Sequence, residues 1–268
     1  MNNPIKKHTK LKLTTLIAAT LGLCVLNQTA LASAASNTFT PDQKVAIEKI
    51  VHDYLVGHPT VLIEATQALQ IEQQKNMISK AQSGIQANAK ALFNEPISPV
   101  LGNPKGNVTI VEFFDYQCNV CQRMAPVISH LINNNSDLRV VLKEWPIFGK
   151  TSDYAAKAAL AAVKQNKFPA FYNVLMSNQE HLTQAKVLSL AKSVGLNTAD
   201  LEKEMNNPAL DKELKANLKL AEAMRLAGTP AFIVAKTPSG VYTNSKASFV
   251  PGATSEESLQ ELINQAKK

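Results

Sequence analysis

Two cysteines separated by two residues form the motif with the clearest chemical meaning in this sequence. Cys118 and Cys121 follow the apolar, β-branched run Val108 to Phe114, which is typical of a buried strand, and they precede a stretch with helical spacing. Unpaired N–H groups and the helix dipole favour negative charge at a helix N-terminus, so the pKa of Cys118 is expected to be low. Cys121 lies one turn further on and is expected to be more buried and less acidic. The pair predicts thiol–disulfide exchange, in which Cys118 attacks and Cys121 resolves the mixed disulfide.

Two other interpretations of this motif are weaker. A zinc site needs four ligands, and the sequence contains no second C-x-x-C and no H-x-x-x-H. A purely structural disulfide between cysteines so close together would close a very short loop and add little stability. We therefore expect no metal site and no other cofactor.

Glu112 lies in the middle of the predicted strand, six residues before Cys118. An unpaired buried carboxylate is costly, so the pKa of Glu112 is expected to be raised, and a buried acid beside the cysteines could move a proton during exchange. The alternative is a structural ion pair with Lys143 on the next strand. The two interpretations are not exclusive.

Two prolines lie where they could shape the site. Pro126 falls inside the helix after the cysteines, where it should remove a backbone hydrogen bond, bend the axis and leave the first turn free to present Cys118. Thr229 and Pro230 come directly before the strand Ala231 to Ala235, and the bond between them is a candidate cis peptide.

The elements that would position these residues follow a simple order. After the first strand and its helix, the spacing predicts a second strand at 138–144, a helical block at about 152–227, a hairpin, and a last helix capped by Ser255. The sequence thus predicts an α/β domain over residues 100–268.

Here the combination of motifs resembles a known family. The run from Glu112 to Cys121, the helical block, Gly-Thr-Pro-Ala-Phe at 228–232 and Pro-Gly-Ala at 251–253 are similar to those of the DsbA-like bacterial periplasmic oxidoreductases. The resemblance implies a thioredoxin fold with an inserted helical block, Cys118 as nucleophile, Cys121 as resolving thiol and Glu112 as buried acid. It also implies that Thr229 and a cis Pro230 face the cysteines and bind the substrate backbone.

The sequence departs from that family between the cysteines. Archetypal members carry Pro-His there, whereas this chain has Asn119 and Val120, which we interpret as the residues that tune its redox potential. No imidazole is present at this position to stabilise the Cys118 thiolate. The resemblance therefore leaves open whether the protein mainly oxidises, isomerises or reduces disulfides.

The region before the domain is helical by its spacing. Thr40 and Pro41 form a helix start, 57–59 form a break, and residues 60–94 continue with a thin apolar stripe, before a Pro-rich linker at 95–99. We expect residues 40–95 to be a helical association segment that pairs with a second copy, like the oligomerising extensions of isomerase-type relatives. A solvated helix along the main domain is the alternative.

The first 32 residues have the form of a cleaved signal peptide. Four lysines precede an apolar run at 13–26, which is shorter than a bilayer span, and small residues follow, with cleavage expected between Ala32 and Ala35. Cys24 would leave with the signal peptide. The net charge would then fall from +7 to about +3, which argues against binding nucleic acid.

These features predict an exported protein of the periplasm or cell envelope that forms and isomerises disulfides as a homodimer. Its partners would be unfolded or misfolded secreted proteins and a membrane redox partner that resets the cysteines. Two alternatives remain open: an envelope binding protein that keeps the fold without catalysis, and a reductive thioredoxin-like helper of cytochrome maturation.

Overall fold

The computed structural model describes residues 39–268, so the predicted signal peptide and Cys24 lie outside the described residues. The described chain divides into two compact units after Pro59. Among residues 39–268, no helix combines the length and the apolar character that crossing a membrane requires.

The first unit contributes one described helix, α1, from Pro41 to Gly57. Thr40 caps it, and the side chain of Gln43 reaches back to the Thr40 N–H, as the sequence predicts. Its apolar side chains recur at helical spacing and are exposed. One side of α1 carries four of them, each at least 40% exposed: Ile47, Ile50, Val51 and Tyr54.

The second unit is built on a five-stranded sheet with the order β1-β3-β2-β4-β5. The strands β2 and β3 are parallel, and the other neighbours are antiparallel. The strands are β1 (Val100–Gly102), β2 (Val108–Phe114), β3 (Leu138–Glu144), β4 (Ala231–Lys236) and β5 (Ala247–Pro251).

Residues 60–268 also form nine α-helices. They are α2 (Thr60–Ala87), α3 (Ala89–Phe93), α4 (Asn119–Asn134), α5 (Lys150–Ala162), α6 (Phe168–Ser177), α7 (Gln184–Ser193), α8 (Thr198–Met205), α9 (Pro208–Ala223) and α10 (Glu256–Lys267). The block α5–α9 lies between β3 and β4, where the sequence predicts a helical insertion at about 152–227.

Successive side chains of β2 point to opposite faces of the sheet, and each face carries its own part of the core. Ile110 and Phe114 pack into a cluster that includes side chains of α4, the inserted helices and α10. Val111 and Phe113 pack into a second cluster with the ends of α2 and α9 and with α3. Because both faces are covered, the strand is apolar throughout except for Thr109 and Glu112, which explains its continuous pattern.

Residues before 100 also pack into the core of the second unit. Ile85 and Phe93 are fully buried in the second cluster. Gln82 donates a hydrogen bond to the carbonyl oxygen of Ala247 in β5. A side chain at Gly84 would lie 3.1 Å from the Met224 Cα, so a glycine permits this close approach.

The last part of the predicted association segment 40–95 is therefore part of the domain core. The linker at 95–99 does not separate two bodies, and the short strand β1, which the sequence did not reveal, follows it directly. Burying α3 against the sheet requires the apolar residues that the sequence pattern had assigned to pairing with another copy.

Candidate active site

Cys118 and Cys121 lie where the chain passes from β2 into α4. Cys118 is the N-cap residue, with extended backbone angles, and its Sγ accepts a hydrogen bond from the Cys121 N–H at 3.4 Å. Cys118 is 4% exposed, Cys121 is fully buried, and both thiols are free. The structure thus shows the dithiol state, with Cys118 as the sulfur nearer to the surface.

The two thiols have opposite acidities. The pKa of Cys118 is lowered to about 5, mainly because the Cys121 thiol donates to its thiolate. The Thr229 side chain and the backbone N–H groups of Cys121 and Val120 lower it further, against the opposing effect of burial. The pKa of Cys121 is raised far above its usual range, since it is the donor in that pair and is buried. This is the asymmetry that a nucleophile and a resolving thiol require.

Thr229 and Pro230 form the opposite side of the site. The Sγ of Cys118 lies 3.4 Å from the carbonyl oxygen of Thr229, and the peptide bond between Thr229 and Pro230 is cis. The carbonyl oxygen of Pro230 accepts a hydrogen bond from the Gly252 N–H, which ties this loop to the end of β5. The Thr229 hydroxyl helps to stabilise the Cys118 thiolate, and among residues 39–268 its buried Oγ1 makes no other hydrogen bond.

Glu112 lies on the face of the sheet that carries the cysteines. It is fully buried, and neither carboxylate oxygen has a hydrogen-bond partner within the part of the chain that the structure describes. Burial, followed by the charge of Cys118, raises the pKa of Glu112 to about 8. Glu112 is therefore a protonated acid at neutral pH, coupled electrostatically to both thiols.

The predicted ion pair between Glu112 and Lys143 does not form. Lys143 is opposite Phe113 in the register of β2 and β3, so its side chain points to the other face of the sheet. There, its Nζ lies 2.7 Å from Ser98 Oγ and 3.9 Å from a carboxylate oxygen of Glu213. The alternative interpretation of Glu112 as a structural partner of Lys143 is wrong.

The remaining predicted residues lie around the first turns of α4. Asn119 is exposed, and Val120 packs against the first core cluster. Pro126 lies inside α4 and lines a cavity of about 370 Å³ between α4 and α6, together with Gln122 and Met176.

Sequence reasoning missed Asp115, which organises the loops beside the cysteines. Its Oδ1 accepts from the Gln117 N–H at 2.7 Å and from Ser152 Oγ at 2.8 Å, and its Oδ2 accepts from the N–H groups of Ile147 and Phe148. The clue was an acid directly after a buried strand, where several loop N–H groups converge.

Glu144, at the end of β3, was also missed as a buried acid. Its Oε1 accepts from the Tyr116 hydroxyl at 2.7 Å, and burial raises the pKa of Glu144 well above its usual range. Its carbonyl oxygen accepts from Asn217 Nδ2 of α9. The clue was its place on a strand that pairs in parallel with β2, because both faces of such strands are usually covered.

Two families match this chain. The DSBA-like thioredoxin domain matches residues 109–264, and the copper resistance protein ScsC N-terminal domain matches residues 43–75. The first match contains β2, the cysteines, the inserted helices and the end of the sheet. The second covers α1 and about half of α2.

Solved structures confirm the predicted thioredoxin-like α/β fold. A thioredoxin-like oxidoreductase from Silicibacter pomeroyi is 38% identical, with a TM-score of 0.61, over 67% of this chain and 98% of that one. BcfH from Salmonella enterica Typhimurium is 29% identical, with a TM-score of 0.68, over 85% of this chain and 97% of that one.

Curated relatives match about half of this chain. The probable disulfide bond formation protein D of Bacillus cereus is 26% identical over 148 residues, which is 50% of this chain and 68% of that protein. Other relatives are much longer. The match to the Na⁺/H⁺ antiporter NhaA 3 of Salinispora tropica, 26% identical over 145 residues, covers 52% of this chain and spans only 22% of the antiporter's length.

Proposed function

This chain belongs to the family of DSBA-like thioredoxin domains, which are thiol–disulfide oxidoreductases, and we propose that it donates disulfides to exported proteins through Cys118 and Cys121. The observation that carries the proposal is the acidity of Cys118 at the N-cap of α4. The pKa of Cys118, about 5, makes its thiolate both a weak base and a good leaving group.

The reaction starts from the oxidised protein, in which Cys118 and Cys121 share a disulfide. A client thiolate attacks the Sγ of Cys118, the bond between the two protein sulfurs breaks, and Cys121 leaves with the electron pair and takes up a proton. A second client thiolate then attacks the client sulfur of the mixed disulfide. Cys118 leaves as a thiolate, the client has gained a disulfide, and the protein has gained two electrons.

The low pKa of Cys118 favours this direction because it stabilises the reduced protein. At pH 7 the thiolate exceeds the thiol by roughly 100 to 1, which corresponds to about 3 kcal/mol and, for a two-electron couple, on the order of 60 mV. The stabilisation comes from the Cys121 thiol, the Thr229 side chain and backbone N–H groups, so it does not need an imidazole between the cysteines.

Glu112 is suited to serve the buried sulfur. At neutral pH its raised pKa keeps the carboxyl protonated, so it can give a proton to Cys121 as that sulfur leaves and recover it when Cys121 is reoxidised. Neither carboxyl oxygen of Glu112 lies within hydrogen-bond distance of another group among residues 39–268, so the proton passes to Cys121 through one water molecule.

The setting of this chemistry forms part of the proposal. The lysines and the apolar run before residue 32 support export to the periplasm or cell envelope, where unfolded or misfolded secreted proteins are the clients. A membrane redox partner would reoxidise the cysteines. The exposed apolar side of α1 supports pairing into a homodimer, whose two active sites would also allow isomerisation.

The pH dependence of Cys118 alkylation tests whether the pKa of this thiol is low. In the reduced protein, the rate of reaction with iodoacetamide should be constant from about pH 6 to 8 and fall to half near pH 5, because the thiolate is the nucleophile. Cys118→Ser serves as the control for the assignment, because it removes the acidic thiol and should abolish the reaction in this pH range. A rate that keeps rising to pH 8 or 9, as for an ordinary thiol, would overturn the proposal.

Clients test the direction of exchange. The oxidised protein should form disulfides in a reduced, unfolded protein, Cys118→Ser should abolish the reaction, and reduced Cys121→Ala should trap a mixed disulfide with an oxidised client through Cys118. A binding protein without catalysis would trap nothing. A reductive helper would instead equilibrate with glutathione at a strongly reducing potential.

A further inference from the structure

A cleft opens beside the loop that faces Cys118. Its volume is about 470 Å³, and its walls come from three places in the chain: the Thr229–Pro230 loop, the end of the sheet and helix α2. The residues that matter for its chemistry are Gln74, Met77, Thr229, Pro230, Phe249 and Pro251.

We infer that this cleft binds the apolar polypeptide segment that flanks the client cysteine, and that Met77 and Gln74 of α2 form one wall of that binding site. The inference rests on the proposed function and extends it. It assigns client binding to residues that precede the matched DSBA-like domain at 109–264.

The position of the cleft determines which ligand can reach it. The carbonyl oxygen of Thr229 lies 3.4 Å from Cys118 Sγ, so a client cysteine joined to Cys118 must sit at the edge of the cleft. An extended chain advances about 3.3 Å per residue, so the two or three client residues next to that cysteine would lie along its walls.

The lining suits an apolar side chain on a polar backbone. Phe249, Pro230 and Met77 provide apolar surface, and methionine adapts to side chains of different shape, which suits a protein with varied clients. The exposed amide of Gln74 can hydrogen-bond to a client's backbone.

The part of α2 that lines the cleft is fixed in place, because the next two turns of the helix pack against the sheet. Met77, Ala81 and Ile85 follow one another at intervals of four residues and therefore share a side of the helix. Ala81 and Ile85 are buried in the second core cluster, and Gln82 bonds to Ala247 of β5. The wall is thus attached to the same sheet that carries the Thr229–Pro230 loop.

The test compares Met77→Lys with Ser79→Lys, which adds the same charge at an exposed position of α2 outside the cleft lining. Three substrates are used with the oxidised full-length protein: a two-cysteine peptide with leucine next to each cysteine, the same peptide with serine there, and glutathione. For each protein, kcat/KM for each peptide is divided by the glutathione rate.

Met77→Lys should lower the leucine-peptide ratio about tenfold relative to wild type, with a smaller loss for the serine peptide, and Ser79→Lys should change neither. Equal ratios for the two variants, or equal losses with both peptides, would overturn the inference and leave the proposed function intact. A change in subunit count by light scattering with Met77→Lys alone would assign the cleft to a second copy instead. Failure of wild type with all three substrates would refute the proposed function itself.

Discussion

Glu112 places a carboxyl group inside the sheet, and its ionisation controls part of the stability of the protein. In the unfolded chain the pKa of this residue is close to 4.5, and in the folded protein it is about 8. Between these values the folded state holds a proton that the unfolded state has lost. Linkage then requires the free energy of unfolding to fall as pH rises from about 4.5 to 8.

Glu112→Gln removes this titration. Between pH 4.5 and 8, the free energy of unfolding of the variant should rise relative to that of the wild type. The rise should be about 1.4 kcal/mol for each unit by which the folded and unfolded pKa values of Glu112 differ. Chemical denaturation of both reduced proteins at pH 4.5, 6 and 8 measures it. Any constant cost of burying an unpaired amide cancels in the trend, and a difference that does not vary with pH would contradict the assignment.

The sequence located the chemistry of single residues better than their partners. Cys118, Cys121 and Glu112 could be placed because the order of strand, C-x-x-C and helix determines which end of each element they occupy. The partner of Glu112 could not be predicted, because a residue of β3 faces the same side of the sheet as Glu112 only if the strand register places it opposite a residue on that side. Lys143 is one residue off that register, and it pairs with Ser98 and Glu213 on the opposite face.

At the scale of elements, Asp115 joins the start of α4 to the loop before α5. One carboxylate accepts three backbone N–H groups and a serine hydroxyl, at distances from 2.7 to 3.1 Å. Each of these donors would be left without its acceptor if the carboxylate were lost. The conformation of the segment that delivers Cys118 to the helix N-terminus therefore depends on this one side chain.

Asp115→Ala should lower the free energy of unfolding by about 3 kcal/mol, since hydrogen bonds to buried charged groups each contribute roughly 1.5 to 3 kcal/mol and do not add fully. Asp137→Ala is the matched control. Asp137 also accepts several bonds, from the backbone and side chain of Asn107, but in an exposed turn, so its loss should be about 1 kcal/mol or less. Urea denaturation measures the free energy of unfolding of both variants. Equal decreases in the two variants would contradict the role of Asp115.

Most element boundaries could be predicted because they coincide with residues that stop or start helices. Thr40 with Pro41, the break at 57–59 and Ser255 are boundaries in both the sequence pattern and the structure. The strand β1 has only three residues, too few to establish a periodicity. The sequence predicts that α2 is long, but it does not show at which residue α2 begins to pack on the sheet.

At the scale of the whole molecule, the sequence could not separate two uses of apolar residues on one long helical region. The early residues are exposed, as on the side of α1 that carries Ile50, whereas Ala81 and Ile85 are buried in the domain. Spacing alone is the same for a helix that packs on its own sheet and for one that packs on another copy. A deletion up to residue 95 would therefore remove part of the core as well as the proposed pairing surface.

The proposed homodimer can instead be tested by substitutions on α1. Ile50→Lys puts a charge into the apolar side formed by Ile47, Ile50, Val51 and Tyr54, and it should shift the full-length protein from dimer to monomer in light scattering. His52→Lys adds the same charge to another side of the exposed helix and should leave the dimer intact. Because neither change touches the sheet or the cysteines, the alkylation profile of Cys118 should be the same in both variants. If Ile50→Lys and wild type have the same subunit count, this side of α1 does not pair two copies. A count of one in both proteins would also mean that any isomerisation proceeds at a single active site.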